Sequence, residues 1–180
     1  MAEMTSVKSE QIEFVESSDV TRAAEEMLDQ ALQFGAVKAH QSDRDAVVSA
    51  LRAGEAVVSG YFYYSLARSA GAYLGTWDHD VKAVYTFDLE ATPEDACFGE
   101  ARHPLVHLIV WVERKTAALA ALAATLDRAL AEQVGSLRGQ QERQFILDVQ
   151  IVDSAEVSSR TGYGAVLASV RPNAIQVWGK

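Results

Sequence analysis

The chain of 180 residues contains a single cysteine, Cys97, which excludes both an internal disulfide and a cysteine-cluster zinc site. Cations are scarce too: 16 Lys and Arg stand against 25 Asp and Glu, a formal net charge of −9. An acidic surface repels a phosphate backbone, so nucleic acid is disfavoured as a direct partner. A small nucleotide escapes that argument, because bound magnesium would carry the missing positive charge. Long apolar runs are also missing. The best stretch, Thr116–Ala131, is mostly alanine and is broken by Asp127 and Arg128, so no membrane span is expected. The opening MAEMTSVKSE is polar and acidic, unlike a signal or transit peptide, and a cytoplasmic location is the expectation. There is no repeat, and no low-complexity tract beyond one alanine-rich segment.

What is present is a globular composition, 49% hydrophobic and 23% charged, long enough for one domain with its own core. Residues 1–18 read as a flexible lead-in and 19–180 as a single domain, helical over 19–75 and α/β over 76–180. Val20, Ala24, Met27, Ala31 and Leu32 recur at helical spacing, with Gly35 where a left-handed cap would end the helix. A second helix is expected over Asp43–Ala53, capped by Ser42 with Asp45 in the capping-box position and stopped by Gly54. A third covers Glu55 to about Leu74, where VVSGYFYY could alternatively be a strand; TWDHD, Thr76–Asp80, reads as a turn.

The stretch His103–Glu113, HPLVHLIVWVE, is the most strand-like in the chain. It places Leu105, His107, Ile109 and Trp111 on one face and Val106, Leu108, Val110 and Val112 on the other, so both faces should be covered. Before it, Val81–Leu89 alternates, with Val81, Ala83, Tyr85 and Phe87 together. After it, Leu119, Leu122, Leu126 and Leu130 form the seam of a helix over Thr116–Gln133 that Gly135 should end. A strand over Gln144–Val152 follows, with Ile146, Asp148, Gln150 and Val152 on one face. A short helix from Ser154, a Gly162-Tyr163-Gly164 turn and a last strand, Ile175–Trp178, complete an α/β (α+β) reading.

From about Tyr61 to Lys180 this order of elements resembles the minimal nucleotidyltransferase fold, most closely in the tail FILDVQIVDSAEVSSRTGYGAVLASVRPNAIQVW. The resemblance implies a mixed sheet of about four strands flanked by helices, with the N-terminal helices packed beside it. It also assigns Asp148, between Leu147 and Val149, to the third-carboxylate position of that family. The family's two other motifs are absent. Asp88-Leu89 follows VYTF where a Gly-Ser pair is expected, and Leu105-Val106-His107 stands where Asp-x-Asp would be. Two-metal phosphoryl transfer needs clustered carboxylates, because hard anionic oxygens are what hold two divalent cations close together. The resemblance therefore implies a degenerate, pseudoenzyme-like binding or regulatory protein with a nucleotide or a protein as partner. An active transferase would need relocated ligands, Asp88, Glu90 and Asp148 around Mg2+ with His107 as orienting group. A third reading is a structural homo-oligomer joined through the small-residue and tyrosine face of Gly60–Gly71.

Each candidate has a plainer reading. Asp148 is either a remnant metal ligand or an acid on a solvated patch or paired with a nearby Arg, since a lone buried one is costly. His107 should meet Asp148 if their strands are neighbours, and a paired structural histidine is the commoner outcome. His103 and His107 on one strand stand about 13 Å apart and cannot share an ion. Asp88 and Glu90 share a strand face near a loop mouth, where solvated acids are ordinary. Asp78-His79-Asp80 could hold a metal, although Asp in a turn usually serves the local backbone. Gly162-Tyr163-Gly164 is a weak phosphate-loop signal, being short and not between a strand and a helix. Tyr61, Tyr63, Tyr64, Tyr73 and Trp77 suit core packing as well as a binding surface. Cys97 has no basic sequence neighbour to activate it.

Overall fold

A computed structural model of the chain describes residues 17–87, 106–139, 145–168 and 174–180. Asp88, Glu90, Cys97 and His103 lie outside the described residues.

Three helices form the N-terminal half: α1 (Ser17–Lys38), α2 (Arg44–Ala53) and α3 (Ala56–Trp77). The apolar stripe of α1, from Val20 to Leu32, is buried against α3 and a later helix, α4 (Ala117–Arg138). Gly35 is not a cap, as its position suggested, but an interior residue of α1. Its missing side chain admits Val47 of α2, which a Cβ there would meet at 3.4 Å. The cap of α2 is Asp43 rather than Ser42: its carboxylate accepts the Ala46 N–H at 2.9 Å, while the Ser42 hydroxyl donates to that same carboxylate. Gly54 ends α2 with φ at 72°, the left-handed conformation that glycine adopts without strain. The β-forming VVSGYFYY is helical, because Val58, Phe62 and Leu66 fall on one buried stripe of α3. That helix runs through Trp77, so the turn begins only at Asp78.

Strands β1 (Val81–Phe87), β2 (Val106–Val112), β3 (Leu147–Asp153) and β4 (Ile175–Gly179) make one mixed sheet in the order β3-β2-β1-β4. β1 is antiparallel to β2 and β4, and β2 is parallel to β3 across α4. Cross-strand partners share a face, so the register divides the sheet into two. Val84 and Thr86 join Val110 and Leu108 on the side packed with helices, and Val106 and Val112 complete it. Ala83, Tyr85 and Phe87 oppose Trp111, Ile109 and His107 on the other side. Val81 was expected with Ala83, but the register shifts between them. An irregularity of that kind moves a residue to the opposite face, and Val81 is buried in the helix-covered core. Ile109, Ala83 and Val152 are buried as well, outside that core, but His107 and Trp111 on the same face of β2 are only partly buried, so the covering expected on both faces of β2 is complete on the helix side alone.

Helix α4 begins at a Thr116 cap and carries the leucine seam Leu119, Leu122, Leu126 and Leu130, all fully buried. It ends at Gly139, with φ at 69°, rather than at Gly135, which lies inside it. Two short helices, α5 (Ser154–Ser159) and α6 (Gly162–Leu167), follow β3. A reciprocal capping box opens α5: Asp153 accepts the Glu156 N–H at 2.9 Å and Glu156 accepts the Asp153 N–H at 3.0 Å. The Gly162-Tyr163-Gly164 segment is the first turn of α6 rather than a free turn. A Cβ on Gly164 would collide with the Glu156 carbonyl of α5, so packing accounts for that glycine.

β4 lies across α3 at two glycines. A Cβ on Gly71 would stand 2.7 Å from a methyl of Val177, and one on Gly75 would run into the Trp178 indole. The small-residue stripe of α3 is therefore filled at Gly71 by the chain's own strand, whereas Gly60 has open space around it. Gly75→Ala should cost about 1–3 kcal/mol through overpacking. Gly60→Ala should instead gain up to about 1 kcal/mol from helix propensity. Denaturant titration of the two variants checks the contrast; equal effects would contradict the close approach.

One buried carboxylate fixes the start of β3. Asp127 of α4 is 8% exposed, and its Oδ1 accepts the N–H groups of Ile146 and Leu147 at 2.8 and 2.7 Å. Burial pushes its carboxyl above the usual range, against the opposing pull of those two N–H groups. A folded value above the unfolded one gives stability that is complete below the unfolded value and lost as pH rises through the folded one. Asp127→Ala leaves two buried donors without an acceptor and should cost about 2 kcal/mol or more. That corresponds to roughly 4–8 °C in Tm for a chain of this size. Asp127→Asn keeps an acceptor, so its loss should be smaller, and it should remove this group's decline in stability with rising pH. Thermal melts across the acid range read both effects.

Candidate functional site

The side of the sheet away from the helical core carries the polar residues singled out in the sequence. The parallel register sets His107 beside Asp148, and Nδ1 of the imidazole lies 2.9 Å from Asp148 Oδ2. A carboxylate only accepts, so Nδ1 is the donor and Nε2 is left without a partner among the described residues. The other oxygen, Oδ1, accepts the Gln150 amide at 2.7 Å. Phe87 stacks on the imidazole, with centroids 5.5 Å apart and 25° between the planes. The Thr86 hydroxyl donates to the His107 carbonyl at 2.9 Å and pins the backbone beneath the ring. The His107 and Asp148 side chains are 31% and 33% exposed, enough for a ligand to reach them.

Chemically this is an oriented imidazole. A carboxylate on Nδ1 fixes the tautomer and leaves the Nε2 lone pair to accept a hydrogen bond or to coordinate one cation. It is a poor seat for two divalent ions, since one carboxylate is present and both of its oxygens are already hydrogen-bonded. Of the other two acids considered for magnesium, Asp88 and Glu90, nothing is described.

The far end of the same sheet face has a second cluster that sequence inspection missed. Lys82 pairs with Glu113, donates to the Ser154 hydroxyl at 2.9 Å and stands 5.4 Å over the Trp111 ring. Trp111 Nε1 also donates to Ser154, at 3.3 Å. The Lys82 hydrogen bond holds the Glu113 carboxyl below its usual range. An ammonium engaged in this way is no base for the neighbouring hydroxyl, so the cluster braces β1, β2 and the start of α5 rather than forming a Ser-Lys pair. Lys82 and Ser154 lie 72 residues apart in the chain, and no spacing could have announced them.

Asp78, His79 and Asp80 are the one trio among the described residues whose ligand atoms come within 4.8 Å of each other. Their geometry is that of a turn: Asp78 Oδ1 accepts the Asp80 N–H at 2.8 Å, and His79 projects into solvent. Of the tyrosines, Tyr63 is buried, its hydroxyl 3.4 Å from Arg138, and burial pushes its phenol up. Tyr61 and Tyr64 instead surround Phe34 of α1, each at 6.1 Å. Trp77 packs, partly buried, against the core.

No family model, curated protein or solved structure matches this chain. No described helix is long and apolar enough to cross a membrane.

The dyad makes a direct prediction. Nitrogen-15 NMR of the neutral imidazole should find the His107 proton on Nδ1, and Asp148→Ala should shift the population toward the Nε2–H form. A wild-type ring protonated mainly on Nε2 would contradict the hydrogen bond.

Proposed function

We propose that the chain is a non-catalytic binding or regulatory protein on a degenerate nucleotidyltransferase-like core. The observation that carries this reading is the state of Asp148. The carboxylate that the resemblance places at the metal is engaged on one side by His107 and on the other by Gln150. Two further features support it. The described elements follow the order that the resemblance implies: helix, two strands, helix, strand, two short helices, strand. And β2 offers an imidazole, His107, beside Asp148 where the family's Asp pair would stand. The half-exposed row of Phe87, His107, Asp148 and Gln150 is then the remnant site, suited to a ligand recognised through an imidazole nitrogen and an amide rather than through a metal.

The test is a thermal-shift screen with ATP, GTP, CTP and UTP, each with and without magnesium or manganese, on the wild type and Asp148→Ala. A ligand at a hundred times its Kd adds about 2.7 kcal/mol, or roughly 5–10 °C for a chain of this length. The expected result is no metal-dependent shift and no nucleotidyl transfer. A metal-dependent shift abolished by Asp148→Ala would overturn the reading in favour of an active transferase built on Asp88, Glu90 and Asp148.

A further inference from the structure

A groove of about 750 Å³ runs between α1 and α3 on the far side of α3 from the sheet site, and β4 reaches it at Val177. Its volume falls within the range of small-molecule sites, which are mainly apolar with a few placed polar groups. Two of its polar groups have no hydrogen-bond or ion-pair partner among the described residues. Ser65 is 7% exposed, yet its hydroxyl has no hydrogen-bond partner among the described residues. Several other helical hydroxyls, those of Thr76, Thr125 and Ser136 among them, donate back to their own helix; Ser65, like the less buried Ser49 and Ser59, does not. Among the described residues no side-chain oxygen is both sealed from solvent and unpaired, so the Ser65 hydroxyl opens into the groove that it lines. Arg68, one turn along the same helix, also lines the groove and makes no ion pair or hydrogen bond among the described residues. Residues three apart on a helix are neighbours on one face, so a hydroxyl donor and a guanidinium stand side by side.

We propose that this groove binds a small amphipathic carboxylate, with Ser65 and Arg68 as the anion subsite. A carboxylate has two acceptor oxygens, one for the hydroxyl and one or both for the guanidinium fork. Across the groove Gln30 is held in place, its Oε1 accepting the Ser69 hydroxyl at 3.1 Å, which leaves its amide N–H groups as further donors. The rest of the ligand is mainly apolar, because beyond Gln30 the groove continues along Phe34 and Val37, with Gln33 as a polar group beside them, and Val37 is 66% exposed. From Gln30 to Val37 the α1 wall extends about 10 Å, room for an alkyl chain or an aryl ring. Glu26, a turn before Gln30, lines the same groove and disfavours a second anionic group, so a monocarboxylate fits better than a dicarboxylate.

The experiment is isothermal titration of the full chain with decanoate, below its micellar range, beside decylamine and adipate. Wild-type protein should bind decanoate saturably and show little response to the other two. Arg68→Gln, an exposed position whose replacement should leave the fold intact by far-UV dichroism, should weaken decanoate about tenfold or more, the scale of one charge-assisted hydrogen bond. Ser65→Ala should weaken it less. No saturable decanoate binding, equal binding of decylamine, or an unchanged affinity in Arg68→Gln would each overturn the proposal. None of these outcomes bears on the nucleotide screen, which probes the other side of α3.

Discussion

A parallel strand cannot be set in register by a tight turn, because its connection is a crossover rather than a hairpin. For β3 that role falls to Asp127, which reaches from the middle of α4 to the first two N–H groups of the incoming strand. The neighbouring Ile146 carbonyl then accepts the Val106 N–H at 2.7 Å, locking the strand to β2 at the same level. A slip of one residue would turn Leu147 outward and carry Asp148 into the leucine seam of α4. The pairing of His107 with Asp148 on the open face is thus a consequence of a buried carboxylate elsewhere. Burial makes Asp127 unfavourable as a charge, and the two N–H groups it receives are what keep it there.

The parts of this fold that were legible from sequence are those governed by one period over many residues. The leucine seam of α4 and the alternation of β2 follow from side-chain geometry along a single element, and the meeting of His107 with Asp148 needed only that their two strands be neighbours. Glycine was read less well, since two residues of identical type serve opposite purposes. Gly54 and Gly139 end helices through a left-handed backbone, while Gly35 and Gly135 lie inside them. At Gly35 the deciding factor is Val47, a residue of another helix, and nothing local records it. Asp127 illustrates the same limit. Within the chain it is a charge that interrupts an alanine-rich run; its function is defined by backbone groups 19 and 20 residues further on. The Ser65–Arg68 subsite could not be read at all, because it is identified by partners those side chains lack, and a missing partner is visible only in three dimensions.

The charge balance gives that missing partner its weight. Most described cations near an acid are taken: Arg22 by Asp19, Arg44 by Asp29, Lys82 by Glu113 and Lys115 by Glu156. Each of these pairs is solvent-exposed, where an ion pair contributes little to stability. In a chain with a net charge of −9 they do settle which cations remain for a ligand. The overall acidity does not forbid an anion at Arg68, since screening at physiological salt confines a charge's influence to about 8 Å. It weighs more heavily against a long polyanion, whose phosphates would have to pass many carboxylates. A monocarboxylate and a nucleic acid are therefore separated by the same electrostatics.

The groove and the sheet site share a strut. Val177 lines the groove and stands against Gly71, and its strand pairs with β1, which carries Phe87 to the imidazole. Contiguity of this kind transmits a signal only if some element in the path has two arrangements. The contact of β4 with α3 is close-packed: Val177 and Trp178 lie where Gly71 and Gly75 leave no space for a side chain, and sliding the strand would cost that packing. Occupation of the groove should accordingly stiffen α1 against α3 without altering the geometry of His107 and Asp148. The groove and the sheet face are thus presented on opposite sides of the layer formed by α3 and the sheet it covers.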